Sequence, residues 1–227
     1  MTYILSIESG TNICSVGVAR GGETVALRTS DSGRDHARMV AQFADEVILE
    51  AGITPKELSA VAVSMGPGSY TGLRIGVSFA KGLCYGLSIP LIGVGSLEAL
   101  MRMAAKSVGE GNELNLRAMI DARRMEVYTQ LFDAKGRTLS EVSAEVMEDE
   151  ATAERYATER SVIFGDGAAK CREVMRVAQY IEVAPSAVGV GEVAHEKWLA
   201  KEFEDVAYSE PFYLKDVVVT KSKKRFF

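Results

Sequence analysis

Histidine and cysteine, the side chains most typical of zinc sites, are scarce in this chain. The sequence has two histidines, His36 and His195, and neither lies in an HExxH motif or in another dense group of ligands. Its three cysteines, Cys14, Cys84 and Cys171, are far apart, odd in number and without a CxxC pair. We therefore expect neither a metal site nor a disulfide framework. His36 should be a packed or capping side chain, and His195 should lie on a helix surface.

The glycine-proline-glycine turn at residues 66–68 is the next feature with a chemical use. Backbone N–H groups at the start of a helix, left unobstructed by glycines, form an anion site. Tight turns from strand to helix use the same residues for backbone geometry alone. Both roles are open from the sequence, and the geometric one is favoured.

The elements that must position these residues occur in the same order twice. In the first half, strands are predicted at residues 3–7, 15–20, 24–29, 60–65 and 90–94, and helices at 35–51 and 70–88. In the second half, strands are predicted at 116–120, 126–132, 138–146, 161–165 and 180–184, and helices at 148–160, from 168 onward and at 186–203. This order predicts an α/β protein whose mixed sheets are covered by helices. The boundary is expected near residues 100 to 114, where GEGN marks a loop.

Charge and hydropathy limit the partners of the chain. With a formal net charge of -5, the surface as a whole should repel a polyphosphate, so any contact with RNA must be local. The amino terminus lacks a basic leader, and no apolar run of membrane-spanning length occurs, so we expect a cytoplasmic protein without a membrane contact. One basic cluster lies near the end and is typical of a solvated terminus rather than a functional arm: Lys221, Lys223, Lys224 and Arg225.

The helix predicted over residues 70–88 has four glycines, although each costs roughly 1 kcal/mol relative to alanine. Its polar residues form a narrow strip, so two surfaces must cover the wide remaining arc. The side with Leu73 and Val77 suits packing on a sheet. On the side with Gly72 and Gly76, the absence of side chains lets another backbone approach closely.

Two partners for this glycine side are open from composition. One is the neighbouring helix at residues 35–51, and the other is a second protein. Both can hold together, since the helix pair could join a partner's equivalent pair in a four-helix arrangement. We predict a partner interface formed by Met39, Phe43, Val47, Gly68, Tyr70, Gly72, Ile75, Gly76, Phe79 and Leu83.

Five segments occur in a characteristic order: ILSIESGTNICSVGV, HARMVAQFADEVILEAGI, SMGPGSYTGLRIG, IDARRMEVY and EPFYL. Together they resemble the TsaB (YeaZ) family, the accessory proteins of bacterial tRNA threonylcarbamoyladenosine synthesis, over nearly the full chain. The resemblance implies an actin-like (ASKHA, ribonuclease H-like) α/β fold with two duplicated βββαβα lobes and mixed sheets. Residues 1–100 would form the lobe with the partner-binding helices. Residues 101–227 would form the second lobe, with a tail that could pack back on the first.

The resemblance also implies a function. Members of the family bind a related catalytic paralogue of the TsaD type, which transfers threonylcarbamoyl to adenosine 37 of tRNAs that decode ANN codons, and a TsaE-type ATPase joins them. We therefore expect a non-catalytic scaffold subunit that is a homodimer in isolation and reaches tRNA only through the complex. No cofactor is expected in the isolated chain, although the resemblance allows a nucleotide shared with the partner complex.

Actin-like proteins hold ATP between their lobes with a DxG[ST] turn in each half, and both turns are altered here. The first reads ESGT, with Glu8 in place of aspartate and Thr11 retained. The second reads DARR, and the long side chain of Arg123 should obstruct the phosphates. Asp121 could form an ion pair with Arg123 that sets the hairpin, or face the cleft. The degenerate nucleotide cleft would comprise Glu8, Thr11, Asp121, Arg123, Gly165 and Gly167.

An independent ATP-dependent kinase or ATPase is the alternative function, and the DARR turn argues against it. The catalytic paralogues carry two metal-binding histidines four residues apart, because positions i and i+4 share a helix face. The equivalent positions in this chain are Ser96 and Leu100, and leucine cannot ligate a metal. A metallopeptidase activity therefore has no zinc site, and we predict no catalytic residue.

Overall fold

Two five-stranded mixed sheets, one from each half of the chain, form the frame of the molecule. The computed structural model describes residues 1–33, 35–108, 114–148, 150–157, 161–172, 175 and 179–215. In each sheet the three antiparallel strands are continued by two parallel ones. The α/β class with mixed sheets, predicted from the repeated order of elements, is confirmed.

The first half folds as β1 (Tyr3–Glu8), β2 (Cys14–Arg20), β3 (Glu23–Ser30), α1 (His36–Glu50), β4 (Ala60–Gly66), α2 (Tyr70–Leu87), β5 (Leu91–Gly95) and α3 (Ser96–Val108). The strand order is β3-β2-β1-β4-β5. The central strands β1 and β4 are buried along nearly their whole length because helices cover both faces of the sheet. On one face, α1 and α2 share a core with β1 and β4, in which Val40, Val47 and Val77 are buried.

The second half repeats this order as β6 (Asn115–Asp121), β7 (Glu126–Phe132), β8 (Ser143–Val146), α4 (Glu150–Ala157), β9 (Ser161–Phe164), α5 (Asp166–Cys171), β10 (Gln179–Ile181) and α6 (Ala187–Ala200). Its strand order is β10-β9-β6-β7-β8. Each half therefore adds one helix, α3 or α6, after its last strand. None of the described helices combines the length and the apolar character needed to cross a bilayer.

The last helix of each half contributes to the core of the other half. Leu97 and Leu100 of α3 lie in the core of the second sheet. Val190 and Val193 of α6 lie in the core on the other face of the first sheet. The two helices also approach each other closely, because a Cβ at Gly189 would lie 2.2 Å from the carbonyl oxygen of Ala99. The crossed helices α3 and α6 therefore tie the two sheets together.

A segment after α6, residues 201–215, runs along the edge of the first sheet and is called the C-terminal strap below. The N–H of Glu204 donates to the carbonyl of Leu91 on the edge strand β5, at 2.9 Å. Further along, the N–H of Phe212 donates to the carbonyl of Met65 at the end of β4, at 2.6 Å. The side chain of Lys215 then pairs with Glu126 of the second sheet. The strap covers an open sheet edge and ends on the other half of the molecule.

The element predictions differ from the structure mainly in the second half. The strand predicted at residues 138–146 is confined to Ser143–Val146, and the helix predicted from residue 168 begins at Asp166. The α3 helix was not predicted, and the expected boundary at residues 100/101 falls inside it. The GEGN loop lies outside the described residues, as does the basic cluster at residues 221–225. The division into lobes at residue 100 stays a prediction.

The close contact between α3 and α6 predicts that a methyl group added at Gly189 destabilises the protein. Gly189→Ala would place a Cβ against the carbonyl oxygen of Ala99, so we expect it to lower the free energy of unfolding by roughly 1–3 kcal/mol. Gly86→Ala is the matched control, since no atom of the described part of the chain lies within 4 Å of its added Cβ. Urea unfolding curves measure both variants. Equal stabilities would contradict the close approach of the two helices.

Candidate functional site

Hydrogen bonds to the side chains of Glu8 and Thr11 hold the turn between β1 and β2. Glu8 is 1% exposed, and one carboxylate oxygen accepts the N–H of Gly10 at 2.7 Å. The other oxygen accepts the hydroxyl of Ser64. Burial raises the pKa of the Glu8 carboxyl to about 6, while these two hydrogen bonds oppose the rise. The hydroxyl of Thr11 accepts the N–H of Ile13 at 3.1 Å, so this side chain also serves the turn.

The second turn, between β6 and β7, is held by a lysine that the sequence reasoning missed. Lys170 of α5 pairs with the carboxylate of Asp121, and its amino group donates to the carbonyls of Arg124 at 2.6 Å and Glu126 at 2.7 Å. Asp121 accepts the backbone N–H of Arg123 at 2.7 Å. The expected ion pair between Asp121 and the Arg123 side chain is therefore wrong, because Lys170 takes that place.

The GDG turn places the start of α5 directly on β6. A Cβ at Gly165 would lie 2.2 Å from the carbonyl oxygen of Met119, and one at Gly167 would lie 2.7 Å from the carbonyl carbon of Ile120. Asp166, between these glycines, accepts the N–H of Asp121 at 3.0 Å. Burial raises the pKa of Asp166. Gly165 and Gly167 therefore allow the start of α5 to pack closely on β6.

The predicted cleft residues come from both halves of the chain: Glu8, Thr11, Asp121, Arg123, Gly165 and Gly167. Burial is the main cause of the raised pKa of Glu8, and the charge of Asp166, in the other half, adds to it. Several of their polar groups have partners within the chain, namely both carboxylate oxygens of Glu8, the hydroxyl of Thr11 and one carboxylate oxygen of Asp121. That these residues together form a nucleotide cleft stays a prediction.

The glycines at the start of α2 pack against the turn between β1 and β2 and leave no room there for a second protein. A Cβ at Gly72 would lie 2.0 Å from the carbonyl oxygen of Ser9, and one at Gly76 would lie 2.2 Å from the Ser9 hydroxyl oxygen. A Cβ at Gly68 would lie 2.4 Å from the carbonyl oxygen of Gly10. Ser9 also donates a hydrogen bond to the carbonyl of Gly72 at 2.9 Å. The expectation that Gly68, Gly72 and Gly76 stand bare for a partner is wrong.

The same packing decides the role of the turn at residues 66–68. The N–H of Ser69 donates to the carbonyl of Gly10 at 2.6 Å, and the N–H of Gly72 donates to the Ser69 hydroxyl at 3.3 Å. These donors at the helix start are used within the chain. The structure thus favours the geometric role over an anion site.

Part of the predicted interface lies on a continuous apolar strip along α1 and α2. Its residues are partly buried and pack against the core of the first sheet: Met39, Phe43, Ile75, Phe79 and Leu83. Tyr70, at the start of α2, is 38% exposed. Val47 is fully buried in the core, so its place in the interface prediction is wrong. Gly82 and Gly86 are exposed, and none of the residues that the structure describes lies within 4 Å of a Cβ added at either position.

The candidate metal ligands lie apart from one another. The Nε2 of His36 is 3.1 Å from the carbonyl oxygen of Thr11, so this buried histidine is packed as expected. His195 packs over the turn of β2 and β3 at Gly22 instead of lying free on a helix surface. Ser96 and Leu100 are buried. Among the described residues, no group of three or more His, Cys, Asp or Glu could hold a metal ion, and the three cysteines are buried and unpaired.

Comparison with known proteins identifies close likenesses over most of the chain. The family model described as TsaD: tRNA N6-adenosine threonylcarbamoyltransferase matches residues 29–223. A protein of Haemophilus influenzae named tRNA threonylcarbamoyladenosine biosynthesis protein TsaB is 28% identical over 229 residues, which cover 96% of this chain and 95% of that relative.

Two solved structures share the fold. YeaZ from Pseudomonas aeruginosa superimposes with a TM-score of 0.73 at 24% identity, covering 94% of this chain and 100% of that chain. The activator of the 2-hydroxyisocaproyl-CoA dehydratase from Clostridium difficile with bound ADPNP gives a TM-score of 0.53 at 11% identity, covering 90% of this chain and 99% of that one. The predicted actin-like fold is confirmed.

The two kinds of glycine in α2 predict opposite effects of alanine. Gly72→Ala would drive a Cβ into the backbone of Ser9, and we expect a loss of roughly 1–3 kcal/mol in the free energy of unfolding. Gly82→Ala, in open space on the same helix, should raise it by up to about 1 kcal/mol through helix propensity. Chemical denaturation of both variants tests this, and two stabilising substitutions would contradict the packing of α2 on the turn.

The raised pKa of Glu8 predicts a pH-dependent stability difference. At pH values between the ordinary pKa of 4.5 and the folded-state pKa of about 6, the carboxyl is ionised in the unfolded chain but protonated in the folded chain. The contribution of Glu8 to the free energy of unfolding therefore falls as pH rises through this range. Relative to the unmodified protein, Glu8→Gln should therefore gain about 2 kcal/mol between pH 4 and pH 7. Unfolding curves at several pH values measure this gain. Relative to the unmodified protein, Glu46→Gln should lose stability as pH rises, because hydrogen bonds from Gln42 and Arg28 lower the pKa of Glu46 in the folded chain.

Proposed function

We propose a function on the premise that the chain belongs to the tRNA N6-adenosine threonylcarbamoyltransferase (TsaD) family and, within it, is of the TsaB (YeaZ) type. It takes part in the synthesis of threonylcarbamoyladenosine in tRNA. We propose that it does so as a non-catalytic scaffold subunit, bound to a catalytic paralogue of the TsaD type that modifies adenosine 37 of tRNAs decoding ANN codons. A TsaE-type ATPase would join this complex.

The closed first turn is the observation that supports a non-catalytic role most directly. A magnesium nucleotide in an actin-like cleft needs a free carboxylate and free backbone donors at the turns. Here both oxygens of Glu8 accept hydrogen bonds, and the N–H groups of Gly10 and Ile13 donate to side chains of the same turn. Asp121 is engaged by Lys170. The residues present therefore do not fit a magnesium nucleotide, and no catalytic step is assigned to them.

The apolar strip on α1 and α2 supports the scaffold role. Half-buried apolar side chains in a row, next to the open positions Gly82 and Gly86, offer a surface on which a second helix pair can pack. We propose that this strip binds the catalytic paralogue and, in isolation, a second copy of the chain. Cytoplasmic location and contact with tRNA inside the complex belong to the same proposal.

An independent ATPase is the alternative that a titration tests. Calorimetry of the isolated chain with ATP and magnesium should give no binding in the micromolar range. Micromolar binding would contradict the closed turn and favour an enzyme acting on its own.

Substitutions on the strip test the scaffold proposal without disturbing the core. Gly86→Arg adds a charged side chain at an exposed position with open space, so folding should be unaffected. We expect affinity for the TsaD-type paralogue to fall at least about tenfold, a change of roughly 1.4 kcal/mol. Leu199→Arg, at a 69% exposed apolar position on α6, is the matched control and should bind as the unmodified chain does.

Two readouts decide the outcome of this experiment. Size-exclusion chromatography of the mixed proteins measures assembly, and mass spectrometry of nucleosides from the tRNA measures modification. If Gly86→Arg assembles and supports modification like the control, the strip is not the partner surface.

A further inference from the structure

The turn between β6 and β7 exposes two adjacent arginines in a strained conformation. Arg123 and Arg124 have φ angles of 70° and 52°, in the left-handed region that glycine and asparagine favour. Both are exposed. Within the part of the chain that the structure describes, neither guanidinium makes a hydrogen bond, an ion pair or a ring contact. Arginine is therefore an unfavourable choice for the backbone here, with no intramolecular contact that offsets it.

Exposed aromatic rings continue this basic turn along the edge of the molecule. The ring of Tyr213 in the C-terminal strap lies 4.9 Å from that of Tyr70, and each is 38% exposed. The guanidinium of Arg74 lies 5.1 Å from the centroid of the Tyr70 ring. Two residues after Tyr213, Lys215 pairs with Glu126, which follows the arginine turn. The C-terminal strap thus connects the start of α2, through Tyr213, to the strand that follows the arginine turn, through Lys215.

The charge of this edge is opposite to that of the whole chain. The carboxylates nearby are Asp121 and Glu126, each paired with a lysine, and Glu210, whose charge is felt at Tyr213. Among the described residues, no carboxylate pairs with Arg74, Arg123 or Arg124, although Arg74 donates to the hydroxyl of Tyr70 at 2.7 Å. The chain as a whole has a formal net charge of -5. Guanidiniums without a carboxylate partner, together with exposed aromatic rings on the same edge, are the combination that binds the phosphates and bases of unpaired nucleic acid.

We propose that this edge, formed by Arg123, Arg124, Arg74, Tyr70 and Tyr213, contacts the RNA substrate while the chain is in its complex. Tyr70, which the sequence analysis predicted in the partner interface, is assigned to this edge instead, because its ring lies against Tyr213 of the strap. This inference rests on the proposed function, which brings tRNA to the complex. The arginines would bind the phosphodiester backbone, and the tyrosine rings would stack on an unpaired base. An acidic protein surface could use the arginines but has no need of exposed stacking rings, and for this reason RNA is the favoured ligand.

Charge reversal tests the edge in the assembled complex. The probe is a fluorescent, unmodified transcript of a tRNA that reads an ANN codon, titrated by anisotropy between about 50 and 200 mM salt. The double variant R123E/R124E should weaken binding at least tenfold and lower the slope of log affinity against log salt by roughly 1.5. The control R20E/K56E makes the same change in charge at two exposed residues elsewhere and should stay within twofold.

A second variant separates RNA binding from folding. R123N/R124G introduces the residues that suit the left-handed turn, so it should raise the melting temperature while still weakening RNA binding. If R123E/R124E binds the transcript like the unmodified chain, or no more weakly than the control, the inference is overturned.

The proposed function is tested separately on the same samples. Size-exclusion chromatography shows whether the unmodified chain assembles with the TsaD-type paralogue. If it does not, the scaffold proposal fails, and titration of the transcript with the chain alone still decides whether the edge binds RNA. If the complex assembles but R123E/R124E keeps full affinity for the transcript, only the inference about the edge fails.

Discussion

The contact on which the rest of the structure depends is the close approach of the β1–β2 turn to the start of α2. The backbone of Ser9 and Gly10 occupies the space that side chains at residues 68, 72 and 76 would fill. Such an approach requires glycine, because a single Cβ would overlap a carbonyl oxygen. It fixes the turn, the helix start and the end of β4 relative to one another. The helix propensity lost at Gly72 and Gly76 is therefore offset inside the molecule.

This contact also decides what the region between the sheets can do. With the turn held against α2, Glu8 points into the protein and its carboxyl is satisfied by Ser64 and Gly10. On the opposite side, Lys170 holds the second turn through a carboxylate and two carbonyls. Each turn is thus held within its own half of the chain, Glu8 by Ser64 and Gly10 and Asp121 by Lys170. These hydrogen bonds occupy carboxylate oxygens that a magnesium nucleotide would need, and the proposal of a non-catalytic role depends on them.

The sequence predicted the fold well where periodicity is long and caps are clear. The bounds of α1 and α2 lie within about two residues of their predictions, since a regular apolar face and a glycine or serine at the end define them. Short elements were harder: β8 has four residues, too few for a period-two pattern to show its start. The α3 helix was not predicted, although Glu98 in its first turn and Lys106 in its last turn are ordinary signals of a helix.

The candidate site shows the limit of sequence reasoning more sharply. A helical wheel shows that one face of a helix is buried. It does not identify the segment that packs on that face, because the segment comes from a distant part of the chain. Gly72 meets Ser9 across 63 residues, and Lys170 meets Asp121 across 49. The glycines of α2 therefore have two kinds of surroundings. The chain itself occupies the space beside those near the helix start, whereas Gly82 and Gly86 face open space. Because no contact from the described residues offsets the propensity lost at these last two, the surface beside them is the part of α2 that the scaffold proposal assigns to a partner.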